Sequence, residues 1–116
     1  MIKTAIQAAK DNKVNRPLPK MACVLTDGHN TVVGFNQRKS HPLQLRFNPH
    51  NPQAIYLHAE MDAIRQAIRL QGSDLKRFRM YVARVHRDGQ IACARPCEGC
   101  QNAILAFGIK DVEWTS

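Results

Sequence analysis

Four side chains in two short motifs could do chemistry together. His58-Ala59-Glu60 offers an imidazole and, two positions on, a carboxylate; Pro96-Cys97-Glu98-Gly99-Cys100 offers two thiols one helical turn apart. One imidazole and two thiolates make three protein ligands for Zn2+. The fourth tetrahedral position is left for a water, as in a catalytic site and unlike a closed structural one. Zinc lowers the pKa of a bound water from about 16 to near 7. Glu60 then needs no bond to the metal, and stands beside the water as the group that takes its proton and later returns it.

Other assignments of these residues stay open at this level. Cys97 and Cys100 alone would suit a redox pair or half of a structural zinc site, although the chain has no second C-x-x-C. Cys93, Cys97, Cys100 and His58 could form a closed Cys3His cluster, which leaves Glu60 without a task. Cys23 sits among apolar neighbours and reads as a small core residue. His29, in a turn, and His86, after a strand, read as solvated. Glu98 suits the start of a helix, and Met61 and Met80 read as core.

The elements that must position these groups follow from periodicity. Ile2, Ala5, Ile6 and Ala9 recur at helical spacing, and the run 12–19, closed by two prolines, ends that helix. Residues 21–25 and 31–35 are strand-like, with Asp27-Gly28-His29-Asn30 as the hairpin turn between them. Residues 37–57 read as one long irregular stretch, held so by Pro42, Pro49 and Pro52, and loops of that length often bind ligands. His58 to Gln71 is helical, with Met61, Ile64, Ala67 and Ile68 on one face and Gly72 as its stop. Residues 80–85 form a strand turned by Arg87-Asp88-Gly89. Pro96 starts a helix carrying Cys97 to Phe107, and 112–114 is a last strand. The order is α-β-β-α-β-α-β, an α/β fold in which a mixed sheet is sandwiched by helices. Both motifs fall at helix N-termini, expected to face each other across the sheet. Unpaired amides and the positive dipole end there should lower the pKa of Cys97 and Cys100.

The chain's 116 residues suit one domain, 1–116. No stretch of eighteen apolar residues is present, so no membrane partner is expected. The first ten residues lack the unbroken apolar core of a secretion signal. With four cysteines, too few for a disulfide scaffold, that points to the cytoplasm. The net charge of +8 favours an anionic partner, nucleotide or nucleic acid, or serves solubility alone. The basic residues are scattered, so charge does not choose between the two.

The paired motifs H-x-E and P-C-x-x-C, with the element order around them, resemble the zinc-dependent cytidine and deoxycytidylate deaminase superfamily from about Met21 to Trp114. The resemblance implies a cytidine deaminase-like three-layer α/β/α sandwich, a Zn2+ cofactor held by His58, Cys97 and Cys100, and Glu60 as proton shuttle. Zinc-bound hydroxide would attack the carbon bearing the exocyclic amine. Gly34-Phe35-Asn36 matches a place where the deoxycytidylate and tRNA-adenosine enzymes carry an Asn against sugar or base, so Asn36 becomes a substrate ligand, and the backbone of Ala59 is expected at the amine edge. Arg38 and Lys39, with His41 and Arg46, are the nearest cations for a phosphate. The chain stops after its fourth expected strand, where most members continue; this shortened C-terminus leaves an open edge, expected to be covered by a partner copy in a homo-oligomer. The leading reaction is dCMP to dUMP plus ammonia. A polynucleotide cytidine or adenosine deaminase acting on single-stranded DNA or tRNA is the alternative, weakened by the chain's seven aromatic residues, most of them in expected strands or helices. A zinc-binding interaction domain without activity is the third reading, and the intact Glu60 argues against it.

Overall fold

The protein is described here from a computed structural model covering residues 1–15, 18–39, 41–47 and 56–116. Central to it is β1 (Lys20–Thr26), whose run Ala22 to Leu25 is fully buried. Such an unbroken apolar run needs cover on both faces. Cys23 and Leu25 face one side with Met80 and Val82 of β3 (Arg79–Val85), while Ala22 and Val24 face the other with Ala83 and Val85. The first side is covered by α3 (Ala59–Gln71) and α4 (Glu98–Ala106), the second by α1 (Ile2–Asp11) through Ala5 and Ala9. These are the three layers expected.

Among the described residues the sheet has five strands. β2 (Thr31–Phe35) pairs antiparallel with β1, and β1 pairs antiparallel with β3. The far edge of β3 is shared. β4 (Ile91–Ala92) pairs antiparallel with Arg84 and Val85, and β5 (Asp111–Trp114) pairs parallel with residues 79–82. Thr115 fills the seam between them. Its amide donates to the Val82 carbonyl at 3.0 Å and its carbonyl accepts from Ala94 N–H at 2.9 Å. Its hydroxyl donates to the Ala92 carbonyl at 2.7 Å and accepts from Arg84 N–H at 3.2 Å.

Three readings of the sequence are corrected. The stretch 37–57 is not wholly irregular: Pro42–Phe47 forms α2, and Gln37 pairs with Leu57 as an isolated bridge. Proline breaks helix interiors but suits the first helical position, where Pro42 stands. His41 Nδ1 accepts from Leu43 N–H at 3.1 Å at this helix start, and Leu43 and Phe47, four apart, pack on the core. Residues 40 and 48–55 of the stretch, Pro49 and Pro52 among them, lie outside the described residues, as do 16 and 17. β4, the second correction, is too short to show alternation in sequence. The third is placement: both motif-bearing helices lie on the same face of the sheet, joined in one core, instead of facing each other across it. One apolar side of α3 and one of α4 both seek the Cys23-Leu25-Met80-Val82 face, and α1 already occupies the other.

Candidate metal centre

α3 begins where the Gln37–Leu57 bridge ends, with His58 as its extended N-cap residue. The His58 amide donates to Oε1 of Gln44, a fully buried residue of α2. The helix that the sequence reading missed thus holds the metal loop. α4 begins after Pro96 with Cys97 as N-cap, whose sulfur accepts from Cys100 N–H at 3.5 Å. A spacing of three at a helix start places both sulfurs on one side. His58 Nδ1 lies 3.5 Å from Cys97 Sγ and 3.4 Å from Cys100 Sγ, and the three ligand atoms lie within 4.8 Å of one another.

These distances fit zinc. Bonds of ~2.3 Å to sulfur and ~2.0–2.1 Å to nitrogen at tetrahedral angles set N···S edges of about 3.6 Å. Cys93 is exposed and outside this group, which disposes of the closed Cys3His cluster among the described residues. Cys23 is buried and His29 and His86 are exposed, as read.

Glu60 is 3 % exposed, and its Oε1 has no hydrogen-bond partner among the described residues. An orphaned carboxylate oxygen beside three metal ligands is what a metal-site water would satisfy. Burial pushes the Glu60 pKa up, opposed by its own amide and by the positive charge of His58. The thiols differ from the expectation that both are acidified. Cys97 is pulled down to about 4, first by the hydrogen bond from the Cys100 thiol and then by His58, with burial opposing. Cys100 is pushed up, because it is the donor in that bond and is buried near Glu60. In the metal-free chain the pair therefore keeps one proton, on Cys100, and metal binding must displace it.

His58, Glu60 and Cys97 line a cavity of about 430 Å³ with Asn36, Met21, Tyr56, Leu57, Leu18, Pro19, Arg84, Cys93 and Arg95. That size suits a small-molecule site. Asn36 is buried at 6 % exposure and tightly held. Its Oδ1 accepts from Asn12 Nδ2 at 2.8 Å and Met21 N–H at 3.3 Å, and its Nδ2 donates to the Pro19 carbonyl at 2.6 Å. Ala59 is fully buried with its backbone against Gly34, and is not among the lining residues. Arg38 and Lys39 are exposed; Arg38 lines a neighbouring hollow that shares Asn36, and the Lys39 carbonyl accepts from Leu57 N–H. His41 is engaged at the start of α2, and Arg46 stacks on Phe47 with 5.3 Å from guanidinium to ring centre.

The family model for the cytidine and deoxycytidylate deaminase zinc-binding region matches residues 1–116, the whole chain. The protein belongs to this deaminase family. It is a zinc-dependent deaminase. No individual curated protein matches it. Among the described residues, no helix of this deaminase is long and apolar enough to cross a membrane.

The sequence reading missed several residues that hold the deaminase site. Asn12 stands in the run that ends α1, and a polar residue just past a helix end is where a side chain can reach back to a strand, as its Nδ2 does to the Met21 carbonyl at 2.9 Å. Asp62 was hidden among helix-face residues: it is 2 % exposed, accepts from Phe35 N–H at 2.9 Å and Arg65 Nε at 2.7 Å, and so fastens the strand that precedes Asn36. Gln44 and Arg84 carried no motif. Their roles come only from the fold.

Proposed function

We propose that the chain hydrolyses the amine from the cytosine ring of a mononucleotide, converting dCMP to dUMP and ammonia, with His58, Cys97 and Cys100 as metal ligands and Glu60 as the catalytic residue. The observation that carries this is the buried, unsatisfied Oε1 of Glu60, aimed into a mononucleotide-sized cavity that also holds His58 and Cys97. Zinc, when bound, supplies a Lewis acid that acidifies water at the open position.

The remaining work falls to the chain. Glu60 Oε1 takes one proton from water and passes it to the ring nitrogen next to the amine-bearing carbon. It takes the second and passes it to the amine, which leaves as ammonia as the C–N bond breaks. Water supplies the oxygen that becomes the new carbonyl, so the atoms balance. Burial suits Glu60 to this, since a raised pKa brings it nearer the operating pH at which one group both accepts and returns protons. Asn36 holds the sugar, fixed in place by Asn12, Met21 and Pro19.

A substrate panel on zinc-loaded protein tests the reading. Ammonia release is followed with dCMP, CMP, dCTP, cytidine, deoxycytidine, cytosine, guanine, and oligonucleotides containing cytosine or adenosine. The expected outcome is turnover of dCMP above the others. Release from an oligonucleotide and from no monomer would overturn it.

A further inference from the structure

A row of residues crosses the sheet at the mouth of the zinc cavity. Phe35 pairs with Ala22, which places Asn36 beside Met21, and Met21 N–H donates to Asn36 Oδ1. Met21 pairs with Arg84, and Arg84 pairs with Ala92. Strand alternation sets the faces: Gly34 abuts α3, so Asn36 shares that face, and Arg84 follows Met80 and Val82 on it. Adjacent strands lie ~4.8 Å apart, so Asn36 and Arg84, two strands apart, stand roughly 10 Å apart at the backbone. Arg95, one residue before Pro96, lines the same cavity as Arg84.

The charge of the lining is one-sided. Glu60 is the one acid among the described residues lining the cavity. Neither Arg84 nor Arg95 is in an ion pair with a described residue. Arg84 also borders a second hollow with Lys20, His86 and Arg87, so the potential beyond it stays positive. Arg87 itself is committed, donating to the carbonyls of Val14 and Leu18. Arginine's planar fork matches phosphate oxygens, and two such forks lining one cavity suit an anion.

Resting on the mononucleotide reading above, we infer that Arg84 and Arg95 form the subsite for the substrate's phosphate, and so select a nucleotide over its nucleoside. The phosphate lies across the row from Asn36, on the opposite side of the cavity from the loop cations Arg38 and Lys39.

Calorimetry on the zinc-loaded protein with dUMP and deoxyuridine reads the subsite without turnover. The wild type should bind dUMP at least tenfold more tightly than deoxyuridine. Arg84→Gln and Arg95→Gln should each cut that advantage roughly 10- to 100-fold or abolish it, the range for a lost charge-assisted bond, and Arg84→Lys should restore part of it. The ratio of kcat/KM for dCMP over deoxycytidine should fall in step. Equal affinities in the wild type would overturn the inference, as would an advantage that survives the double glutamine variant or is lost in Arg38→Gln instead. An arginine-dependent preference for dUMP without any dCMP turnover would sustain the subsite and overturn the proposed reaction.

Discussion

Glu60 and the Cys97–Cys100 pair show how one neighbourhood sets opposite chemistry on adjacent groups. Glu60→Gln keeps the shape and the zinc ligands but removes the base, so deamination should fall by on the order of 10²–10⁴ while zinc content, read by metal analysis, stays stoichiometric. Unaltered turnover in that variant would refute the assigned role. In the metal-free protein at neutral pH, Cys97 is a thiolate, with its pKa near 4, and Cys100 is a buried thiol. Brief iodoacetamide treatment followed by peptide mass spectrometry should label Cys97 well ahead of Cys100, and zinc should protect both. Preferential labelling of Cys100 would reverse the electrostatic account. The ligand set was legible in sequence because its spacing is local and its residue types are rare. The split between the two thiols was not, since it depends on which sulfur donates to the other and on the approach of His58 from another helix.

At the scale of elements, the fit of α3 on β2 decides where His58 and Glu60 stand. Gly34 makes it possible: a Cβ there would fall on the Ala59 carbonyl and the Ala63 amide, both backbone atoms that cannot swing aside. Gly34→Ala should therefore cost about 1–3 kcal/mol, read as a lowered urea midpoint, and should weaken zinc retention because the start of α3 must shift. A variant as stable as the parent would show that the helix has room to move. Periodicity placed α1, β1, β2, α3, β3, α4 and β5 because each carries an apolar face long enough to read. It missed α2, whose six residues hold one leucine pair and an aromatic behind a proline, and β4, which is only two residues long. Gly72, by contrast, is readable as the stop of α3, and its φ of 100° is the conformation that glycine tolerates there.

For the whole molecule, zinc binding and folding are linked. The ligands come from two helices on one face, so an ion that binds the folded chain and not the unfolded one adds RT ln(1 + [Zn]/Kd), ~2.7 kcal/mol at a hundredfold excess over Kd. Chelation should lower the thermal midpoint by several degrees in a scanning experiment, and added zinc should restore it. An unchanged midpoint would mean the three ligands carry no metal. The layered architecture could be anticipated from the alternation of elements, but the side on which each helix lands could not. That choice is made by which face of β1 is still uncovered, a competition no single segment records. Thr115 has a consequence of its own in time. Its four hydrogen bonds join β3, at Val82 and Arg84, to Ala92 at the end of β4 and to Ala94 in the loop that leads into Cys97. Thr115 follows Cys100 by fifteen residues, so the loop that carries both cysteines is fastened by a residue made after them. A chain cut before Thr115 should therefore keep all three ligands yet hold its zinc loosely, which metal analysis after dialysis would read.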